Sequence, residues 1–265
     1  MSVDLSTISP TQNVAGPETV VQSGWIKRVR ERIFHRRVLT VIGLAIMLGL
    51  FWAWLSPQAR IAIAAAVFQS RALFILMALF SLITLSLLWS AGQEMDAWLF
   101  MLFNVRGIRS RWLDGAMWLL TQLGNMGLAL AAAAVLYALA FERLAIEIVL
   151  GLLSLWLVVE TVKAVTDRTR PFALLKDVRI IGWRALGRSF PSGHTAQAFF
   201  IASLFVNRFD LLLWGDTALF VTAGLVGVTR MYVGAHYPRD VIAGALIGLV
   251  WAFLISLSSA YLYPG

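Results

Sequence analysis

Seven long apolar runs constrain this chain more than any other feature of its sequence. They cover residues 38–55, 72–91, 126–141, 144–162, 195–206, 211–228 and 241–263. Most of them approach the roughly 20 residues that a helix needs to cross the hydrocarbon of a bilayer. Hydrophobic residues make up 60% of the chain and charged residues only 14%, which is not the balance of a soluble domain. The runs predict an all-α, polytopic transmembrane bundle of six or seven spanning helices.

The segments around these runs predict the organisation of the chain. Residues 1–37 are a polar tail that becomes basic towards its end, and residues 38–265 are expected to form one transmembrane domain. Two amphipathic stretches, 96–105 and 112–123, are too short to cross and are expected to lie on the membrane surface as interfacial helices. The basic residues occur in short segments between apolar runs, so the net charge of +8 indicates contact with membrane lipids and no nucleic-acid partner.

Three short segments at predicted helix ends concentrate the polar chemistry of the chain. They read KAVTDRTRP at 163–171, PSGH at 191–194 and RMYVGAHYPRD at 230–240. Together they supply fixed cations, a hydroxyl, a glycine, two histidines and a carboxylate. Phosphoryl transfer depends mainly on donors placed in advance around the equatorial oxygens. The combination predicts an oxyanion site that also contains a nucleophile.

The cations and the start of the following helix are candidate phosphate ligands. Lys163, Arg170 and Arg230 can hold phosphate oxygens, the arginines through bidentate contacts and the lysine as a point charge. Ser192 and the backbone N–H of Gly193 fall where the next helix is expected to begin, and helix N-termini bind phosphate.

The two histidines differ in their neighbours and are therefore given different roles. Asp240 follows His236 by four residues, so on a helix the two side chains would share a face, and the carboxylate would leave one ring nitrogen free to attack phosphorus. His194 is then the proton donor to the leaving group and the base that activates water. One imidazole must begin neutral and the other protonated.

The remaining polar residues of the central loop are given lesser roles. Arg168, Arg184 and Arg188 are expected only to attract an anionic headgroup, and Asp167 to pair with one of them. At most one aspartate stands beside each candidate histidine, so we predict neither a metal nor any other cofactor.

The three segments also match a family pattern. The order Lys, six residues, Arg-Pro, then Pro-Ser-Gly-His, then Arg, five residues, His, three residues, Asp resembles the type 2 phosphatidic acid phosphatase superfamily. The resemblance covers roughly residues 72–263, and it departs from the family at Thr229, where serine is frequent, and in the additional run at 38–55. It implies that the phosphate is bound by Lys163, Arg170, Ser192, Gly193 and Arg230, with His194 as acid and His236 as nucleophile oriented by Asp240.

The resemblance implies a metal-independent membrane lipid phosphatase that works through a phosphohistidine. Undecaprenyl pyrophosphate, phosphatidylglycerol phosphate and phosphatidic acid are the substrates it suggests. Two alternatives remain open: a phosphotransferase that passes the phosphoryl group to another lipid, and a non-catalytic carrier that keeps only the phosphate clamp. A carrier needs the cations but has no use for a nucleophile with its orienting carboxylate. The sequence does not indicate an oligomeric state.

The membrane side of the site receives two opposite predictions. The basic cluster at residues 27–37 places the N-terminus in the cytoplasm, and seven crossings would then put the loop at 166–188 in the cytoplasm too. The resemblance implies a multi-pass protein of the cytoplasmic membrane with an extracytoplasmic site. We favour the extracytoplasmic side, because the motif match is more specific than a count of charges.

Overall fold

The computed structural model describes residues 42–43, 46, 49–50, 53, 56–107 and 110–262. The chain divides into two compact units, residues 1–47 and 48–265. Of the first unit only residues 42, 43 and 46 are described, and they are helical. Every element discussed below belongs to the second unit. The predicted tail at 1–37 and most of the run at 38–55 lie outside the described residues, so the predictions made for them remain predictions.

All regular structure in the described ranges is helical, as predicted. The helices are α1 (Pro57–Gln69), α2 (Arg71–Ser86), α3 (Ser90–Asn104), α4 (Arg111–Thr121), α5 (Met126–Ala138), α6 (Glu142–Thr166), the short α7 (Pro171–Leu174), α8 (Gly193–Arg208), α9 (Leu213–Tyr232) and α10 (Pro238–Leu262). A single 3₁₀ turn, Gln122–Gly124, joins α4 to α5. Six of the seven apolar runs therefore correspond to α2, α5, α6, α8, α9 and α10.

The helices of the described ranges include fewer straight spans than the six or seven predicted. Two segments, Glu142–Leu174 and Pro238–Ser258, are long and apolar enough to cross a membrane. Two bent pairs raise the number to four if each pair is one span: Arg71–Ser86 with Ser90–Asn104, bent by 96°, and Arg111–Gly124 with Met126–Ala138, bent by 58°. The difference arises because α8 has only 16 residues and α9 has a charged residue near each end, Asp216 and Arg230.

The surface of the helical unit is apolar over wide areas. Large side chains such as Phe68, Leu88 and Trp214 are 90%, 87% and 82% exposed. Isolated exposed apolar side chains are ordinary in a soluble protein, but so many bulky ones are typical of a surface that faces lipid. The predicted surface stretches at 96–105 and 112–123 correspond to most of α3 and α4, the two helices that bend sharply away from their partners.

Helix α8 lies at the centre of the packing. Its apolar side chains form one core cluster with residues of α6 and α10. The buried members of that cluster from these three helices are Leu144, Ile148, Leu152, Leu155, Val159, Ala196, Phe200, Leu204, Ile247 and Ala252. The N-terminal end of α8 is therefore held on two sides by α6 and α10, the helices that are long and apolar enough to cross a membrane.

Three glycines on neighbouring elements let other backbones approach the first turn of α8. A Cβ added at Gly124 would lie 2.6 Å from the carbonyl oxygen of His194. One at Gly244 would lie 2.5 Å from the carbonyl of Ser192, and one at Gly248 only 2.3 Å from that of Ala196. These distances are too short for any side chain, so the close contacts around this turn require glycine.

Candidate active site

The structure brings the eight residues singled out in the sequence to one end of α8. Each comes from a helix end or from the connection next to one. Lys163 is in the last turn of α6, Arg170 directly precedes α7, Ser192 caps α8, Gly193 and His194 begin it, Arg230 is in the last turn of α9, His236 is in the turn before α10, and Asp240 is in the first turn of α10. The three motifs therefore form one cluster.

The candidate nucleophile His236 is buried between Asp240 and Arg170. Its Nδ1 lies 3.5 Å from Oδ2 of Asp240, and its Nε2 lies 3.2 Å from Nη1 of Arg170. An arginine N–H can only donate, so Nε2 is the acceptor, and the proton of the neutral ring is then on Nδ1, facing the carboxylate. In this tautomer Nε2 carries no proton, so its lone pair is the one that can attack phosphorus.

The expected helical geometry of this pair is wrong in one respect. Helix α10 begins at Pro238, so His236 lies in the preceding turn and does not share a helix face with Asp240. Its backbone N–H donates to the carbonyl of Arg230 at 3.2 Å, which ties the turn to the end of α9. The side chains still meet, because the turn returns the ring to the start of α10.

Asp240 is fully buried and held by three hydrogen bonds. Oδ2 accepts from the Ser189 hydroxyl and from the backbone N–H of Tyr237 at 2.8 Å. Oδ1 accepts from Nη1 of Arg168 at 2.6 Å. A carboxylate bound at both oxygens has little freedom to rotate, so its position relative to His236 is fixed.

Arg170 is occupied largely by backbone carbonyls. Nε donates to Gly187 at 3.1 Å and Nη2 to Leu186 at 2.8 Å, while Nη1 donates to Ala235 at 2.9 Å. Together with the contact to His236, these bonds use most of the five N–H groups of the guanidinium. Arg170 therefore joins the loop that follows α7 to the turn that carries the nucleophile.

The other candidate phosphate ligands surround the start of α8. Nζ of Lys163 would lie 3.9 Å from a Cβ at Gly193 and donates to Glu160 at 2.7 Å. Ser192 caps the helix through its Oγ, which accepts from the backbone N–H of Thr195 at 3.5 Å and also from the Thr195 hydroxyl at 2.8 Å. The prediction that a helix begins at this motif is thus confirmed, and the positive end of α8 points into the cluster of cations.

Arg230 is buried with part of its guanidinium unpaired. Nη1 donates to the Thr121 hydroxyl at 2.8 Å. Its Nε has no hydrogen-bond partner among the described residues. A buried N–H without a partner is costly, and a phosphate oxygen is a suitable acceptor for it.

Burial and the surrounding charges act on both histidines, which lie outside the two candidate spans. Burial, together with Arg170, lowers the pKa of His236 to about 3, so this imidazole is neutral at neutral pH. Burial, together with Arg230, lowers the pKa of His194 to about 2. A phosphate dianion held by the same cations acts in the opposite direction and raises the pKa of a nearby histidine. We therefore expect His194 to gain its proton together with the substrate.

Sequence reasoning missed one of the buried charged groups of the site. Arg168 is not a solvent-facing attractor: its side chain is 7% exposed and contacts both Asp240 and Asp96. Arg239 also pairs with Asp96. Arg184 is exposed and lies over the ring of Phe172 at 4.6 Å, and its attraction of a headgroup stays a prediction. The predicted pairing of Asp167 with one of the loop arginines is confirmed, since Asp167 forms an ion pair with Arg188. No local pattern pointed to Asp96, since it stands 72 residues before Arg168.

The loop between α7 and α8 covers one side of the site and carries exposed apolar side chains. Trp183 and Leu186 are 91% and 88% exposed. The base of the loop is fixed to α4 by Arg179, whose Nη2 donates to both carboxylate oxygens of Asp114 at 2.7 Å. An aromatic and an aliphatic side chain beside Arg184 suit the boundary between headgroups and hydrocarbon.

The donor set suits an anion better than a metal. The side chains that converge on His236 from other elements are mainly cationic, and a divalent cation would be repelled by them. Within residues 56–107 and 110–262, no three of His, Asp and Glu come together as a metal site would require.

Comparison with known proteins adds a family and a fold. Residues 144–263 match the sequence profile of the PAP2 superfamily, a range that contains all eight candidate residues. Over 191 residues the chain is 30% identical to undecaprenyl-diphosphatase of Sulfolobus acidocaldarius, covering 68% of this chain and 88% of the relative. It is 38% identical to the bacitracin transport permease protein BcrC of Bacillus licheniformis over 89 residues, which are 32% of this chain and 41% of that relative. The chain thus spans less than half of one of these relatives and most of the other.

A solved structure has the same helical architecture. It is the transmembrane PAP2-type phosphatidylglycerolphosphate phosphatase of Bacillus subtilis, with a TM-score of 0.60 at 25% identity. The likeness covers 71% of this chain and 95% of that one. The prediction of a polytopic helical membrane fold is therefore confirmed.

Proposed function

This chain belongs to the PAP2 superfamily, and from that premise we propose that it hydrolyses a lipid phosphate or lipid diphosphate by way of a phosphohistidine at His236. The observation that carries the proposal is the position and protonation state of the His236 ring. A buried, neutral imidazole with its proton on the side of Asp240 directs the lone pair of Nε2 towards Arg170, which together with Arg230 and Lys163 can hold a phosphate. Such a group is a nucleophile, which a simple phosphate clamp does not need.

The proposed reaction has two displacements at phosphorus. In the first, Nε2 of His236 attacks, the bond between phosphorus and the leaving oxygen breaks, and His194 gives its proton to that oxygen. In the second, His194 takes a proton from water, the resulting hydroxide attacks the phosphoryl group, and the bond between phosphorus and Nε2 breaks. Inorganic phosphate leaves and both imidazoles return to their starting states. Arg170, which donates to Nε2, must release it before attack, and a phosphate oxygen offers the guanidinium a stronger acceptor.

A lipid substrate is favoured by the position of the site. It lies at the ends of apolar helices and beside a loop with exposed Trp183 and Leu186. A lipid can keep its chains in the bilayer while its phosphate reaches the cations. The names of the similar proteins suggest undecaprenyl diphosphate or phosphatidylglycerol phosphate as the substrate class. We place the protein in the cytoplasmic membrane with its site on the extracytoplasmic side, as the motif resemblance implies.

The proposal predicts release of inorganic phosphate from lipid phosphates without any added acceptor. The measurement is phosphate release by the purified, full-length chain in detergent micelles. The panel contains undecaprenyl diphosphate, phosphatidylglycerol phosphate and phosphatidic acid. Activity on at least one member is expected, because the site contains both a nucleophile and a base for water.

Two other outcomes would replace the proposal. Phosphate that appears only after a second lipid is added, and on that lipid, would identify a phosphotransferase. Saturable binding of these lipids without any turnover would identify a carrier, the reading that the name of the permease relative favours.

We expect the activity to survive removal of divalent cations. Lys163, Arg170 and Arg230 already supply the positive charge that Mg²⁺ brings in other phosphoryl-transfer enzymes. The initial rate with the best lipid of the panel should be unchanged after dialysis against EDTA. A loss that Mg²⁺ or another divalent cation restores would contradict this mechanism.

A further inference from the structure

A buried chain of alternating charges connects the catalytic carboxylate to helix α3. We propose that Arg168 is a positioning residue for the proposed reaction: it holds Asp240, and through Asp240 the ring of His236, while Asp96 of α3 holds Arg168. The inference rests on the proposed function of the same site. It adds to that site a residue of the first motif that the family pattern leaves unspecified.

The contacts of Arg168 show a guanidinium shared between two carboxylates. Nη1 donates to Oδ1 of Asp240 at 2.6 Å, and Nη2 donates to Oδ2 of Asp96 and to Oε1 of Gln93 at 2.8 Å. The guanidinium carbon lies 4.4 Å from the centre of the Tyr237 ring. Both Nη atoms of Arg168 are thus paired and the Tyr237 ring lies over the guanidinium, which restricts the position of Arg168 and, through it, that of Asp240.

Asp96 is fixed as firmly on the other side. It is 1% exposed and accepts from the backbone N–H and Nε of Arg239 at 3.2 and 2.7 Å. Arg239 in turn donates to the carbonyl of Ser86 at the end of α2. Removing one member of a buried set of charges leaves another charge uncompensated, so each member depends on the rest. Asp96 lies outside the residues that match the family profile, 144–263.

The arrangement matters because Asp240 must present one particular oxygen to His236. Arg168 binds Oδ1, which leaves Oδ2 to face Nδ1 of the imidazole at 3.5 Å. Without Arg168, Oδ1 loses its hydrogen bond, and only the Ser189 hydroxyl and the Tyr237 N–H still hold Oδ2, so the carboxylate can turn further about its χ2 bond. The position of Oδ2 relative to His236 would then be less well defined, and a small misplacement of a nucleophile is expensive in rate.

The test is a double-mutant cycle on the first chemical step, with the lipid that the wild type hydrolyses best. Arg168→Gln should lower the single-turnover rate about 10²-fold, the cost of a misplaced reacting group. It should leave KM within about threefold, because the phosphate ligands are untouched. In an Asp240→Asn background the same substitution should cost less than about threefold, since a residue that acts through Asp240 has nothing left to position.

Two further variants separate positioning from general support of the fold. Arg168→Lys restores the charge beside Asp240 and should recover about tenfold of the loss, but not all of it, since a lysine lacks the fork that bridges two carboxylates. Arg143→Gln makes the same chemical change in a partly exposed pair with Glu147, at the end of α6 remote from Lys163, and should leave kcat within about threefold of the wild type. Thermal unfolding in detergent is recorded for every variant.

Additive losses in the cycle would overturn the proposal, because they would mean that Arg168 acts independently of Asp240. If Arg168→Gln is not recovered in folded form, the cycle is repeated with Asp96→Asn, which removes only the far support. The proposal would then be overturned if Asp96→Asn and Arg168→Lys both kept the wild-type rate. A wild-type chain that hydrolyses no lipid of the panel would instead be a failure of the proposed function.

Discussion

Replacing His236 with alanine is expected to abolish both phosphate release and covalent labelling of the protein. The loss should be on the order of 10⁴-fold or more, as is usual when the nucleophile of a hydrolase is removed. The reason is that Nε2 of His236 lies beside Arg170, whereas the Ser189 hydroxyl is bound to Asp240 and the Ser192 hydroxyl caps α8. The measurement is rapid acid-free quenching during turnover of a ³²P-labelled lipid phosphate, followed by identification of acid-labile phosphohistidine.

The chain provides its own matched control for this experiment. It has three histidines, and His35 lies far from the three motifs in the sequence. His35→Ala should therefore retain both labelling and turnover. Near wild-type turnover by His236→Ala would mean that water attacks phosphorus directly, and the phosphohistidine would have to be abandoned.

The second large effect is expected at His194, and it should depend on the leaving group. A lipid alkoxide is a poor leaving group and needs a proton, whereas p-nitrophenolate does not. His194→Ala should lose roughly 10²–10⁴-fold in the first step on a lipid monoester, the usual worth of general acid catalysis. It should lose much less on p-nitrophenyl phosphate. His236→Ala should fail on both substrates alike.

This comparison has to be made on phosphorylation alone. His194 also acts as the base in the second step, so steady-state rates would combine two roles. Burst or single-turnover kinetics isolate the first. Equal losses on the two substrates would show that His194 binds phosphate or supports the loop, and that the proton comes from elsewhere.

The helices could be predicted from the apolar runs, but the bends between them could not. The end of α2 is an example. No proline or glycine follows Ser86 before α3 begins at Ser90. The carbonyl of Ser86 accepts from the backbone N–H of Trp89 at 3.1 Å and also from Arg239, which is 153 residues away in the chain. A helix end that is supported by so distant a donor has little local signal, so the segment reads as one continuous run.

The candidate site shows the same division between local and distant information. The spacing of the three motifs was enough to select the eight residues that the structure brings together, because each motif lies at helix ends or in the short connection beside them. A start signal at Pro238 was present in the sequence and would have placed His236 before the helix. Arg168 and Asp96, by contrast, form an ion pair across 72 residues. In a single sequence the two residues appear only as separate charges, and nothing indicates that they pair.

The glycines around the first turn of α8 bear on how this protein can change in evolution or in the laboratory. With carbonyl oxygens only 2.3–2.6 Å from where a Cβ would be at Gly124, Gly244 and Gly248, even alanine demands a movement of backbone that the packing resists. Single substitutions at these three glycines would therefore disturb the start of α8, where the proposed phosphate site lies. New substrate preferences are more accessible through the loop of Trp183 and Leu186, whose exposed side chains can be exchanged without moving the helix beneath them. A library for altering lipid selectivity should be concentrated there.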